Sequence, residues 1–347
     1  MGGRLPLASP CRLCPVFAML AGKTGISEGN WVMVNAVIER FQRLDAAFSE
    51  RASKGERLYG RFSALASISS SETADTLAAR SFQIRDRLNE GLGTWKSPGR
   101  AMRLVFAAAL AASNRSADNF FTVRTALNDR RRERGTRALS HGGSCAALAL
   151  VVAGGESGQV DNFFDILDEI SLPWWRRVPA REDVLAAAFA ALGDTPEHAR
   201  TKLDKARLAL RSAGVPGHHV EGAAQEICLG PVDPGELAAA WTSLNTAVRG
   251  RPILRNGVGK TGLAVLASRG RGPEIADRLV TSFEAVRALR PRPSGQVAAR
   301  LAMRLAQAQT GTSEPHAAAR DLAAILAAQA AVIAAVAGST AAVAAAT

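Results

Sequence analysis

Three short stretches carry residue types and spacings that could do chemistry. Gly257-Val-Gly-Lys260-Thr261 has the ending of a phosphate-binding loop. In such loops glycines let backbone N–H groups close around a phosphate while a lysine reaches its oxygens. The pattern asks for a glycine at position 254, where Leu254 stands, and Arg251-Pro252 leave little room for a buried strand ahead of it. His141-Gly-Gly-Ser-Cys145 offers a hydroxyl and a thiol beside an imidazole, without the G-x-S-x-G elbow that a serine hydrolase needs; a helix cap at Ser144 is the expectation. His218-His219 could ligate a metal, but a place in a solvated turn is the expectation. Cys11 and Cys14 form a lone CxxC with no second pair at zinc spacing. These residues yield no convergent set of acid, base and nucleophile, so no catalytic residue, cofactor or metal is expected.

Binding chemistry is better represented. Leu172-Pro-Trp174-Trp175-Arg176-Arg177 pairs two tryptophans with two arginines, the side chains that dominate protein interfaces. Arg130-Arg131-Arg132 adds a second basic group. The chain of 347 residues has a net charge of +12 and 21% charged residues, with an isoelectric point near 10.6. That balance admits an anionic partner such as an acidic protein or nucleic acid. The 47% hydrophobic content excludes wholesale disorder.

Helices must position these residues, because alanine dominates the apolar set and aromatics are only 5%. Apolar positions Val34, Val37, Ile38, Phe41, Leu44 and Phe48 predict one amphipathic helix. Almost wholly apolar helices then recur at 106–112, 145–153, 184–192, 220–229, 263–268 and 301–307. Gly154, Gly193, Gly230, Gly270 and Gly311 follow five of them, spaced by 39, 37, 40 and 41 residues. Pro196, Pro234, Pro273 and Pro315 open the second helices at spacings of 38, 39 and 42. Two kinds of punctuation sharing one period mark a helical-repeat protein. The fold expected is all-α: a right-curving or roughly linear α-solenoid of about six helical hairpins, with an N-terminal helix and an Ala-rich C-terminal helix. Carboxylates such as Asp118, Asp161, Glu197, Glu236 and Glu274 open the second helices, and arginines such as Arg211, Arg249, Arg251, Arg287, Arg290 and Arg292 follow them. Each charge complements a helix dipole, and stacking would line the arginines along one edge.

From Leu58 onward the sequence resembles a family of uncharacterised bacterial proteins classed as a domain of unknown function. The likeness is carried by Ser97-Pro98-Gly99-Arg100 before Leu104–Ala112, by Asp183-Val-Leu-Ala-Ala, and by Gly214-Val-Pro-Gly217 running into Ala224-Gln225-Glu-Ile-Cys-Leu229. It spans roughly Arg43 to Gln309 and departs at His218 and His219, where the family has aromatic and Asn residues. The resemblance implies an all-helical repeat protein and no assigned activity.

The ends read differently. Residues 1–32 are irregular, with Pro6, Pro10 and Pro15, and a start at Met19 or Met33 suits the pattern better than a secretory signal. Residues 33–316 form the helical-repeat domain and 317–347 the Ala-rich tail. Uncharged from Leu322 onward, the tail has apolar residues worth roughly −2 to −4 kcal/mol for membrane insertion, before Gln329 and Ser339 subtract. Packing along the last repeat, or self-association through 322–343, is the expectation. The reading is therefore a cytoplasmic, non-enzymatic scaffold that binds an acidic protein through Arg130, Arg131, Arg132, Trp174, Trp175, Arg176 and Arg177. Nucleic acid is the lesser partner, and a nucleotide-binding enzyme centred on Lys260 is the alternative.

Overall fold

A computed structural model describes residues 28–309, apart from 95, 96 and 271. The Ala-rich tail, Cys11 and Cys14, Gly311 and Pro315 lie outside the described residues. The described residues hold fourteen α-helices and no strand. They are α1 (Glu28–Arg51), α2 (Arg57–Ala66), α3 (Ala74–Gly91), α4 (Arg100–Ala112), α5 (Ala117–Arg134), α6 (Ser144–Val152), α7 (Val160–Ile170), α8 (Pro179–Ala191), α9 (Pro196–Ser212), α10 (Gly217–Ile227), α11 (Pro234–Arg249), α12 (Pro252–Ala267), α13 (Gly272–Ala288) and α14 (Gly295–Gln309). The first helix thus begins at Glu28, ahead of the expected boundary at 33.

Odd and even helices differ in composition, and this sorts them into two layers. Every residue from Leu104 to Ala111 on α4, from Ser144 to Val152 on α6 and from Glu182 to Ala190 on α8 is buried. A helix apolar on all sides has to be surrounded by others, and its alanines let neighbours approach closely. The odd helices bury a single stripe, such as Leu203, Ala206 and Leu210 on α9 or Leu237, Trp241, Leu244 and Val248 on α11. They open with side-chain caps, Thr73, Ser116, Thr195 and Asp233 each accepting a backbone N–H from three residues on. Of the repeating glycines, Gly154 and Gly193 take the left-handed conformation expected of helix ends, at φ +91° and +72°.

The even helices pack successively, α2 on α4, then α6, α8, α10, α12 and α14, and α14 returns to α2. The odd helices form a concentric outer layer in which α13 returns to α1. The all-α array of helical hairpins expected from the sequence thus closes into a double ring instead of running roughly linearly, with α2 an inner member beyond the six expected. Closure has a polar weld: Arg61 on α2 donates 2.5 Å to the Pro291 carbonyl and sits 3.6 Å from Asp45 on α1. Arg61 is largely buried, so the guanidinium is held by the last connector rather than by water.

Candidate functional site

Closing the ring gives it two ends of opposite character. At one end the chain passes from inner to outer helices, and Asp75, Asp118, Asp161, Glu197, Glu236 and Glu274 occupy the first turns of α3, α5, α7, α9, α11 and α13. These carboxylates meet positive helix ends, which accounts for them. At the other end the chain passes from outer to inner helices. Arg51, Arg131, Arg132, Arg134, Arg211, Arg249 and Arg287 close outer helices there, again as the dipole favours.

The starts of the inner helices at that same end break the rule. Arg57 and Arg100 are the first residues of α2 and α4, and Arg181 lies in the first turn of α8. Among inner helices with described first turns, only α8 has an acid there, Glu182. Cations at positive helix ends oppose folding slightly, so the arginines at the inner-helix starts are not explained by helix stability. Arg137, Arg176, Arg177, Arg251, Arg290 and Arg292 in the connectors add to it.

All of the anticipated binding residues except Arg130, which lies a turn before the end of α5, sit at this face, and they divide into two sets. Arg130 is engaged by Glu133, at 2.8 Å, and by Asp161, and Arg132 by Asp129 at 2.6 Å. Arg177 donates 3.1 Å to the Leu172 carbonyl and lies 3.3 Å from Glu182. Arg131 and Arg176 make no side-chain ion pair among the described residues. Trp174 and Trp175 form a single 3-10 turn, 80% and 68% exposed, their rings edge to face at 5.8 Å. Val178 and Ile253 are further exposed apolar side chains of this face.

Two buried carboxylates hold the connectors in place. Glu182 accepts the Leu172 N–H at 3.2 Å and faces Arg177 and Arg137, at 3.3 and 3.5 Å. Asp183 accepts Arg137 at 2.8 Å and the Ser140 N–H at 2.7 Å. Burial pushes both carboxyls above their ordinary range; the partly opposing influences are led by the Leu172 N–H for Glu182 and by Arg137 for Asp183. In the sequence pattern Asp183 stands only as a motif residue. Its signal was present: two adjacent acids heading an otherwise apolar helix need buried partners.

His141-Gly-Gly-Ser-Cys145 becomes the connector into α6 and not a catalytic elbow. His141, Gly142 and Gly143 are successively left-handed, at φ 50°, 61° and 79°. Asn128 braces the turn by donating 2.9 Å to the Gly142 carbonyl. Ser144 is the first helical residue rather than the expected cap, and its hydroxyl accepts from Arg124 at 3.0 Å. Burial pushes the Cys145 thiol up to about 12, leaving no thiolate at neutral pH.

Gly257-Val-Gly-Lys260-Thr261 lies inside α12, with no strand before it among the described residues, so the strand–loop–helix frame of a phosphate loop is not formed. A Cβ at Gly257 would fall 2.5 Å from the Ala299 Cβ, and one at Gly262 would fall 2.8 Å from the Met303 sulfur. These two glycines serve the close packing of α12 on α14. Gly259, at φ +70° and ψ 165°, interrupts the helix and makes Lys260 the start of its inner segment.

That interruption sets Lys260 near His219 of α10 and Thr261 against the same helix. His218 and His219 belong to the first turn of α10, not to a solvated turn. His219 Nδ1 is 2.9 Å from the Thr261 hydroxyl. Burial, then His218 and Lys260, pull the imidazole below its ordinary value, which favours the neutral ring. One turn on, the place of a Cβ at Gly222 lies 2.8 Å from Arg181 Nη1 and 3.3 Å from Thr261 Cγ2. One further turn on, Glu226 faces Arg181 at 3.9 Å and Arg304 at 3.3 Å. Arg304 belongs to α14, beyond α12 in the ring, so the Glu226–Arg304 pair spans the axial interior. His219, Gly222 and Glu226 share one helical stripe, which therefore faces the axis. Comparisons with family models, curated proteins and solved structures give no match to this chain.

Proposed function

We propose that the protein is a non-enzymatic docking module whose basic ring face binds an acidic protein surface, with Trp174 and Trp175 as anchors. The observation that carries this reading is the exposed tryptophan pair. Exposing two indoles forgoes their burial, worth about 1.5–3 kcal/mol for a large apolar side chain. Glu182 nonetheless fixes the loop that presents them, on the same face as Arg131 and Arg176, which make no side-chain ion pair among the described residues. Interface hot spots have this composition, aromatic anchors beside arginine. An acidic protein fits better than nucleic acid, because Asp129 and Glu133 interrupt the basic groups and would repel a continuous phosphate backbone.

The test compares wild type with Trp174→Ala/Trp175→Ala and with Arg131→Ala/Arg176→Ala in quantitative pull-downs from the source cell. Loss of a hot-spot residue costs about 2 kcal/mol or more, so the tryptophan variant should lose its partner at unchanged melting temperature. Salt should weaken wild-type capture. Undiminished capture by both folded variants would move the interface elsewhere, and nuclease-sensitive capture would identify nucleic acid as the partner.

A further inference from the structure

A groove of about 810 Å3 lies between α9 and the connector that runs from the end of α10 to the start of α11. The connector is irregular because α10 stops after 11 residues, beside the 17 of α9, and Pro231 and Pro234 bar a helical path onward. Leu208 and Ala209 of α9 form one apolar wall, and Leu229 and Val232 form the other. Leu208 is 66% exposed, whereas Leu203 and Leu210 of the same helix are buried. Lys205, Leu208, Ala209 and Ser212 follow one another at three- and four-residue steps and so share a face of α9. Of the two lysines in the lining, Lys202 is already held by both oxygens of Asp194, at 2.7 and 2.8 Å. Lys205 is exposed and makes no ion pair or hydrogen bond among the described residues. The nearby acids are engaged too: Asp204 holds Arg207 at 2.7 Å, and Asp233 accepts the Glu236 N–H at 2.8 Å.

We propose that this groove binds a small apolar carboxylate, such as a medium-chain fatty acid, with Lys205 at its head group and Leu208, Leu229 and Val232 along its tail. The volume falls within the roughly 300–1,000 Å3 of small-molecule sites, which are mostly apolar with a few polar groups. The charge count selects the head group. One uncommitted lysine matches a single negative charge, whereas a phosphomonoester brings about −1.5 to −2. The apolar walls select the tail, because a ligand lying on them takes Leu208 out of water along with its own surface. Lys205 stands about one turn before Leu208 on α9, so head and tail contacts follow each other along one helix face.

The experiment titrates the full chain calorimetrically with decanoate, using acetate and decyltrimethylammonium at matched ionic strength as controls. Methyl resonances of Leu208 and Val232 are followed in parallel. Wild type should bind decanoate saturably and at least about tenfold more tightly than either control, one lacking the tail and the other reversing the charge, and both methyl signals should move. Lys205→Glu and Leu208→Asp alter exposed side chains and should melt as wild type does. Each should lose about tenfold in decanoate affinity, the first by charge reversal and the second by loss of an apolar wall. Trp174→Ala/Trp175→Ala should bind decanoate as wild type does, which separates the groove from the protein-docking face. Decyltrimethylammonium binding as tightly as decanoate, or both groove variants binding normally, would overturn the site. Loss of binding in the tryptophan variant would place the ligand on that loop and overturn it equally. A dimer seen in sedimentation and dispersed by Leu208→Asp would show a second copy in the groove, and that too would overturn it.

Discussion

At the scale of single residues, Arg137 governs more than its own position. It is the cation shared by Glu182 and Asp183, which in turn hold the connectors on either side of the basic face. Removing one partner from a buried charged set costs about 3–5 kcal/mol, and Arg137→Ala should show a loss of that size in denaturant unfolding. The Asp183 carboxyl is already raised above its unfolded value by burial. The native state therefore holds that proton more tightly than the unfolded chain, so this group favours folding increasingly as pH falls through its folded pKa toward its unfolded one. Without Arg137 the folded value rises further and the window widens upward. The Arg137→Ala deficit should thus be smaller at pH 5 than at pH 8; a pH-independent deficit would show that the carboxylates do not depend on this arginine.

At the scale of elements, alanine and glycine set the spacing between inner helices. On α12 and α14 the limiting contact is Gly257 against Ala299, where an added Cβ would lie at 2.5 Å. Gly257→Ala should overpack this contact and destabilise by about 1–3 kcal/mol. Ala299→Gly alone costs about 1 kcal/mol of helix propensity. Together the two changes should lose about 1 kcal/mol less than the sum of the singles, because the second vacates the space the first needs. Strict additivity in chemical unfolding would mean that the helices separate freely instead. Which helices are inner was legible from sequence, since the uniformly apolar runs at 106–112, 145–153 and 184–192 can satisfy themselves only when surrounded. The Gly257–Ala299 pairing was not, because the glycines of that stretch suggest a turn until the partner helix is known.

At the scale of the whole molecule, closure changes how stability is distributed. In an open solenoid each repeat touches only its neighbours and the terminal ones fray first. Here α14 packs on α2 and α1, and Arg61 joins α1, α2 and the connector carrying Pro291. Hydrogen exchange should accordingly find α2 and α14 protected to the same degree as α6 and α8. Arg61→Ala leaves Asp45 buried, its carboxyl pushed up by burial without its opposing partner. That variant should lose protection in α1, α2, α13 and α14 before the middle of the chain. Early exchange of the terminal hairpins already in wild type would mean that the closing contacts carry little energy.

The sequence by itself determined the helices, their period, their division into apolar inner and one-striped outer members, and the alternation of acid and base. All of these are local, written in spacings of three to four residues along a helix and about forty along the chain. Tertiary structure alone decided that the array closes, since the Arg61–Pro291 contact joins residues 230 apart. It also decided which charges are spent on internal pairs, Arg130, Arg132 and Arg177 against Arg131 and Arg176, which have no ion pair among the described residues. The axial cluster depends on Glu226 meeting Arg304 across 78 residues and past an intervening helix. Nothing in the local pattern can encode such a meeting, because it follows from the curvature accumulated by every hairpin between them.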